Sequence, residues 1–170
     1  MNDRKMKVET IDRELIMTRD FDAPRKLVFE AFSNCEHLSH WWGTHEYPIS
    51  YCKMDFREGG IWHFCLRGPA GQESWGKAAY QEIIEPERIT YTDNFSDSEG
   101  NVNEKLPGML ITVDFLEFNG RTRLISTTRF TSAEELKKIM DMGVVQGFTE
   151  SWDRLEEHLE QNRTHKKSPG

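Results

Sequence analysis

A long central part of the chain, residues 47–131, alternates bulky apolar and polar side chains in short segments that are separated by turn sequences. Its clearest pair of segments, 109–118 and 121–130, is joined by Asn119 and Gly120, which supply the positive φ angles of a tight type I′ turn. Because side chains two positions apart lie on the same face of a strand, each segment presents one apolar face. The pattern predicts consecutive antiparallel hairpins that form one curved sheet with a buried face.

Helical patterns flank this strand-rich part on both sides. A strand predicted over residues 13–21 is followed by Pro24, which suits the first turn of a helix, and by a second short helix over residues 35–41. After the sheet, Ser132 and Glu135 form a capping box that begins a long C-terminal helix. The order predicts an α+β fold in which about six to seven antiparallel strands curve around this helix. The two short helices come after the first strand.

The length and composition suit one domain with short ends outside the core. The chain has 170 residues, of which 36% are hydrophobic and 30% are charged, and these fractions support a core under a well-solvated surface. We predict a disordered segment at residues 1–12, a single domain at residues 13–161 and a disordered tail at residues 162–170.

Charge and hydropathy exclude two classes of partner. The net charge of −7 disfavours a nucleic-acid binder, which needs a basic surface to meet phosphates. Residues 1–12 lack the apolar run of a secretion signal, and no segment approaches the ~20 apolar residues that span a bilayer. We therefore expect a cytoplasmic protein with no nucleic-acid partner and no membrane insertion.

The chain has three cysteines, Cys35, Cys52 and Cys65, which do not form a disulfide framework. If the REGG sequence at residues 57–60 closes a hairpin, Cys52 and Cys65 fall about opposite each other, and a cross-strand disulfide is conceivable. We expect reduced thiols instead, because the cytoplasm keeps most thiols reduced.

Several motifs occur in a fixed order along the chain. FDAPRKLVFEAF and EHLSHWWG are followed by DFREGGIWHF, YQEIIEPERITYTDNF, GRTRLISTTRF and GVVQGFTESWDRLEEHL. This series resembles the family similar to activators of the ninety-kilodalton heat-shock protein ATPase, within the START and birch-pollen-allergen superfamily. The resemblance covers roughly residues 15–159. It implies a helix-grip fold, in which an antiparallel sheet curves around a C-terminal helix.

The resemblance implies a shared cavity more than a shared reaction, and it offers no family-wide catalytic residue. Two positions depart from the family pattern, with Cys35 and Thr44 each standing where a proline is usual. The true chaperone activators combine this fold with an additional N-terminal domain, for which 170 residues leave no room. Regulation of a chaperone is therefore a weaker expectation than ligand binding.

The candidate cavity residues lie on the apolar sheet face, at the tryptophan pair and on the C-terminal helix. Two adjacent tryptophans cannot both point inward from one regular element, so one is expected in the core, while the other either covers the junction of helix and sheet or lines a cavity mouth. The sheet aromatics have the same two interpretations, core or pocket wall. Two glycines four residues apart would let a ligand approach the helix. The candidates are Trp41, Trp42, Trp62, Phe64, Tyr91, Phe95, Met109, Phe115, Gly143, Gly147 and Phe148.

Few residues suggest catalysis or metal binding. Asp93 shares strand parity with Tyr91, so its carboxyl group can point into an apolar cavity, where a raised pKa would suit general acid–base catalysis. A paired or solvated aspartate at a strand end is the alternative. His37 and His40, with Cys35 nearby, match no strong zinc spacing. We therefore expect no metal and no cofactor, and only Asp93 and Tyr91 are weak catalytic candidates.

The leading functional hypothesis is that a small apolar or aromatic molecule binds between the sheet and the C-terminal helix. The second is a cyclase, dehydratase or hydrolase of the kind that related helix-grip folds host, using a polar group in the cavity. The third is a protein-interaction role, such as chaperone regulation or a stress-linked accessory function. The edge strands of such a sheet also allow a homodimer, although nothing in the sequence requires one.

Overall fold

The computed structural model describes residues 6–105 and 108–167, which form one eight-stranded antiparallel sheet and four helices. In chain order the elements are β1 (Lys7–Ile11), β2 (Glu14–Phe21), α1 (Arg25–Glu30), α2 (Cys35–Trp41), β3 (Ile49–Met54), β4 (Ile61–Arg67), β5 (Glu73–Ile84), β6 (Arg88–Ser96), β7 (Met109–Phe118), β8 (Arg121–Arg129), α3 (Ala133–Asp141) and α4 (Val144–Lys167). The predicted α+β helix-grip architecture is confirmed.

The sheet has the strand order β1-β2-β8-β7-β6-β5-β4-β3, so an early strand pairs with the last one. Alternate residues of β7, namely Ile111, Val113 and Phe115, are at most 2% exposed, which is the predicted buried face. The C-terminal helix packs over this face, where the ring of Trp152 on α4 lies 5.9 Å from that of Phe21 on β2. The core therefore lies between the concave side of the sheet and α4.

Regular secondary structure extends further at both ends of the described part of the chain than the sequence predicted. Residues 7–11, within the segment predicted as disordered, form β1 by pairing with β2. This strand raises the number of strands to eight, and the two short helices follow the second strand rather than the first. At the other end α4 continues to Lys167, into the predicted tail. Residues 1–5 and 168–170 lie outside the described part of the chain.

The long C-terminal helix is divided in two. Ser132 caps α3 as predicted, because its Oγ accepts a hydrogen bond from the backbone N–H of Glu135 at 3.1 Å. The helix then breaks at Gly143, whose φ of 90° lies in the left-handed region that favours glycine. The break separates α3 from α4, so Gly143 sets the direction in which α4 crosses the sheet.

The two short helices close one end of the core. Trp41, the last residue of α2, is fully buried, and its Nε1–H donates a hydrogen bond to the carbonyl of Ala31 at 2.9 Å. Its ring packs edge-on against Phe32 with centroids 4.8 Å apart. Asn34 caps α2, since its side chain accepts a hydrogen bond from the backbone N–H of His37.

A charged residue ties β2 to α4 inside the core. Arg19 occupies an inward-facing position on β2 and is 2% exposed. Its Nη1 lies 2.7 Å from Asp153 Oδ1 and its Nη2 lies 3.2 Å from Glu156 Oε1, both on α4. Two carboxylates therefore compensate this buried guanidinium across 134 and 137 residues of sequence.

The expectation of reduced thiols is contradicted at two of the three cysteines. Cys35, the first residue of α2, is disulfide-bonded to Cys52 in β3, with Cα atoms 5.8 Å apart. Cys52 lies directly across from Phe64 rather than from Cys65, so Cys52 and Cys65 project from opposite faces of the sheet. Cys65 is buried and free. The disulfide ties α2 to an edge strand of the sheet.

Reducing this disulfide is expected to lower the free energy of unfolding by about 3 kcal/mol, because it releases a loop with a sequence separation of 17 residues. Urea unfolding with and without a dithiol reductant measures this loss, and Cys52→Ser should show it in the absence of reductant. The control Cys65→Ala keeps the disulfide and should lose the same amount on reduction. Identical unfolding midpoints with and without reductant would contradict a stabilising role for the bond.

Candidate functional site

A cavity of about 190 Å³ lies between strands β4–β7 of the sheet and the start of α4. Its wall is mostly aromatic and aliphatic, with a few polar groups. The lining residues are Trp42, Phe64, Leu66, Ser74, Trp75, Gly76, Asp93, Asn94, Phe95, Met109, Val144 and Phe148. An engineered apolar cavity of about 150 Å³ takes up benzene, so this volume suits one substituted aromatic ring.

A glycine lies in the middle of the cavity wall. Gly76 on β5 stands in register between Phe64 on β4 and Phe95 on β6. A Cβ atom at Gly76 would lie only 2.5–3.0 Å from three atoms of the Phe64 ring. The missing side chain thus lets the Phe64 ring lie over the β5 backbone. A glycine inside a strand is a sequence signal for such a close approach.

The tryptophan pair divides between core and cavity. Trp41 is fully buried, whereas Trp42 is 8% exposed and lines the cavity. The ring of Trp42 meets Trp62 edge-on at 4.8 Å and lies 6.4 Å from Phe148 of α4. Trp42 therefore connects the end of α2 to the sheet and to α4 at the cavity wall.

Side chains of α4 fix the backbone around this pair. Ser151 Oγ donates a hydrogen bond to the carbonyl of Trp41 at 3.1 Å. Arg154 donates to the carbonyls of Trp42 and Thr44 at 3.2 Å each, and to that of His40 at 3.1 Å. These bonds hold the chain after α2 against α4, so the position of Trp42 depends on contacts more than 100 residues away in sequence.

The other sequence candidates fall into two groups. Phe64, Phe95, Met109 and Phe148 line the cavity together with Trp42. Trp62, Tyr91 and Phe115 are at most 4% exposed and, like Trp41, lie in the core outside this lining. Gly143 and Gly147 also lie outside it. The lining residues that the sequence analysis missed are Leu66, Ser74, Trp75, Gly76, Asn94 and Val144.

Asp93 is the acidic group of the cavity wall. Its side chain is partly buried on β6, and burial raises its pKa to about 7. In the described part of the chain, no side chain or backbone group forms a hydrogen bond or ion pair with its carboxyl group. A carboxyl group of this kind exchanges its proton near neutral pH and remains available to a ligand.

Two phenols lie near Asp93. Burial, together with the charge of Asp93, raises the pKa of Tyr80 and of Tyr91 above the ordinary tyrosine value. Both side chains therefore stay neutral at physiological pH. Tyr91, the second weak catalytic candidate, is placed beside Asp93 but behind the cavity wall.

Three histidines meet where α2 contacts α4, outside the cavity. His37 Nδ1 and His158 Nε2 are 2.7 Å apart, and the ring of His40 stacks on that of His158 at 5.0 Å. Burial, with smaller contributions from His37 and His40, lowers the pKa of His158 to about 4. Across the described residues, no three histidine, cysteine or acidic side chains are arranged to hold a metal ion.

A wider groove of about 760 Å³ runs between β2, β8 and the later part of α4. Its charged side chains pair with one another, as Arg123 does with Asp20 at 2.8 Å and Arg121 with Asp22 at 3.9 Å. Because these charges compensate each other, the smaller aromatic cavity is the better candidate for a ligand site.

An open antiparallel sheet that curves around a C-terminal helix, with a cavity between them, defines the helix-grip class. Within this class, the model of the family described as Activator of Hsp90 ATPase homolog 1-like protein matches residues 22–160. The chain belongs to this family, as its motifs indicated.

Solved structures of proteins from several organisms share the fold. A protein from Arthrobacter aurescens is 25% identical, with 91% of each chain covered and a TM-score of 0.85. A protein from Staphylococcus epidermidis is 31% identical over 92% of this chain and 95% of its own, with a TM-score of 0.80. A protein from Mycobacterium smegmatis is 27% identical over 89% of this chain and 93% of its own, and its TM-score is also 0.80. No curated protein matches the chain.

No helix in the described part of the chain is long and apolar enough to cross a membrane.

Proposed function

We propose that this protein binds a small apolar or aromatic molecule in the cavity between the sheet and α4. The observation that carries the proposal is the cavity itself, whose wall is built from rings such as Trp42, Phe64, Phe95 and Phe148. Aromatic side chains provide large contact areas at low entropic cost and are common in small-molecule sites. The volume of about 190 Å³ favours a ligand with a single ring.

We expect propylbenzene, a one-ring apolar probe, to shift the NMR signal of the Trp42 indole while leaving that of Trp41 in place. The reason is that Trp42 lines the cavity and Trp41 is fully buried outside it. Met109→Trp should abolish the shift by filling the cavity. The matched control is Leu116→Trp on the same strand, because Leu116 is 48% exposed and outside the lining. Equal binding by both variants, or no binding by the wild type, would overturn the proposal.

A second candidate is an enzymatic role, and the pKa of about 7 at Asp93 is the observation that favours it. Tyr91 lies beside it as a neutral phenol. Asp93→Asn should then abolish turnover of a bound substrate without abolishing its binding. If no cavity ligand is chemically altered by the wild type, the role is binding alone.

Regulation of a chaperone is supported only by membership of the family. An unchanged chaperone ATPase rate on addition of this protein would exclude such regulation.

A homodimer that forms through the sheet edges is a further proposal, which sedimentation would test. A cytoplasmic location also remains a proposal. Isolation of the protein with an intact Cys35–Cys52 bond under alkylating conditions would count against it, because cytoplasmic thiols are kept reduced.

A further inference from the structure

Within the described residues that line the cavity, Asp93 has the one charged side chain, and none is basic. Asp93 stands in register between Ala78 of β5 and Met109 of β7. Neither neighbour has a side chain that can donate a hydrogen bond to its carboxyl group. The acid is therefore placed on the concave sheet face without a partner from the adjacent strands.

Among the described residues, the groups that face Asp93 from the packed elements supply no compensating positive charge. Tyr80 on β5 and Tyr91 on β6 remain neutral phenols, since burial raises the pKa of both. On the α4 side, the cavity is closed by the apolar side chains of Val144 and Phe148. Removal of a carboxylate from water costs free energy unless a cation or hydrogen-bond donors meet it. A ligand that brings a cation would meet this requirement.

The rest of the wall also favours a positively charged ligand. The faces of aromatic rings carry partial negative charge and attract ammonium groups in desolvated sites. The net charge of −7 on the whole chain further favours the approach of cations over anions. In the part of the chain that the structure describes, the lining residues whose rings lie on the cavity side of the sheet or on α4 and the end of α2 are Trp42, Phe64, Phe95 and Phe148, whereas the Trp75 ring packs against His63 on the other face of the sheet.

We propose that the ligand of this cavity is a small aromatic amine, with one ring packed among the aromatic side chains and its ammonium group paired with the carboxylate of Asp93. This proposal rests on the proposed binding function and names the chemical class of its ligand. It assigns Asp93 as the residue that determines specificity for a cationic group.

The test compares three probes of nearly equal shape, which are phenethylamine, 2-phenylethanol and propylbenzene. They place an ammonium group, a hydroxyl group or a methyl group at the same distance from the ring. At pH 8 we expect phenethylamine to bind at least about tenfold more tightly than the two neutral probes, measured by NMR titration of the Trp42 indole. This comparison uses the wild-type protein and does not depend on any variant folding.

The preference for phenethylamine over the two neutral probes should increase as the pH rises. Asp93, with a pKa of about 7, is mostly ionised at pH 8 and mostly protonated at pH 5.5, whereas an alkylammonium group stays protonated throughout. The affinity for phenethylamine should therefore rise about tenfold from pH 5.5 to pH 8, while the neutral probes change little. Asp93→Asn should remove both the preference and its pH dependence. Glu85→Gln, which removes the same charge at an exposed position outside the cavity, should retain them.

The alternative results separate this inference from the binding function on which it rests. If all three probes bind equally, the cavity binds apolar rings and the inference about the amine is overturned. Tighter binding of 2-phenylethanol at low pH would also overturn it, because Asp93 would then act as a protonated hydrogen-bond donor. Failure of all three probes to bind would overturn both the inference and the proposed function.

Discussion

Replacing Trp41 with alanine is expected to lower the free energy of unfolding by about 4 kcal/mol, in the range of the largest core truncations. The residue is fully buried, and its ring packs against Phe32 at a centroid distance of 4.8 Å. The substitution also leaves the buried carbonyl of Ala31 without its indole donor. Urea unfolding followed by circular dichroism measures the loss without relying on tryptophan fluorescence.

Trp42→Ala is the matched control, because it removes the same side chain from the adjacent position. We expect a smaller loss of about 3 kcal/mol, at the low end for a tryptophan truncation, since the Trp42 ring borders an existing cavity and its neighbours can close around it. The same variant should lose binding of a one-ring probe, whereas Trp41→Phe should retain it. A larger stability loss at Trp42 than at Trp41 would reverse the assignment of one indole to the core and the other to the cavity.

The different roles of these two neighbours show where sequence patterns stop being informative. The bounds of α2, residues 35–41, follow from local pattern and match the structure. Which indole reaches the cavity depends instead on Ser151 and Arg154 of α4, which hold the carbonyls of this segment. Helical and strand periods describe one element at a time, so they cannot specify such contacts between elements.

The strands were predictable because their sequence signals lie within each strand or turn and do not depend on contacts between elements. Alternation of side chains and the Asn119–Gly120 turn are local properties, and β7 has the predicted bounds. The disulfide between Cys35 and Cys52 was missed because it requires α2 to pack beside β3. Cys35 stands where the family usually has proline, so this bond uses a position at which the chain departs from its family.

The residues that line the cavity were only partly predictable from the sequence. The aromatic members of its wall were candidates from strand parity, but parity alone does not distinguish a ring that fills the core from one that borders a hollow. At Phe64 the position of the ring depends on Gly76, which stands in register between Phe64 and Phe95 and whose missing side chain lets the Phe64 ring lie over the β5 backbone. Strand glycines carry this information in the sequence. Asp93 was also a candidate by parity, and its pKa follows from the burial that the fold produces.

Arg19→Ala is expected to lower the free energy of unfolding by about 3–4 kcal/mol, because it removes the cation between two carboxylates of α4. The Arg19 side chain is 1% exposed, whereas Asp153 and Glu156 are each 32% exposed, so the arginine is the most buried member of the group. Its guanidinium also lies 5.2 Å from the ring centre of Phe21. Loss of the side chain would leave a hole between β2 and α4 and would remove the cation that Asp153 and Glu156 share.

Arg19→Met separates these two causes, because methionine fills much of the same space without a charge. We expect it to recover about half of the loss, with the remainder due to the carboxylates of Asp153 and Glu156. Equal stability of the Met variant and the wild type at pH 7 would show that apolar packing alone holds α4 against the sheet. The buried arginine would then serve only to fix the position of the helix along β2.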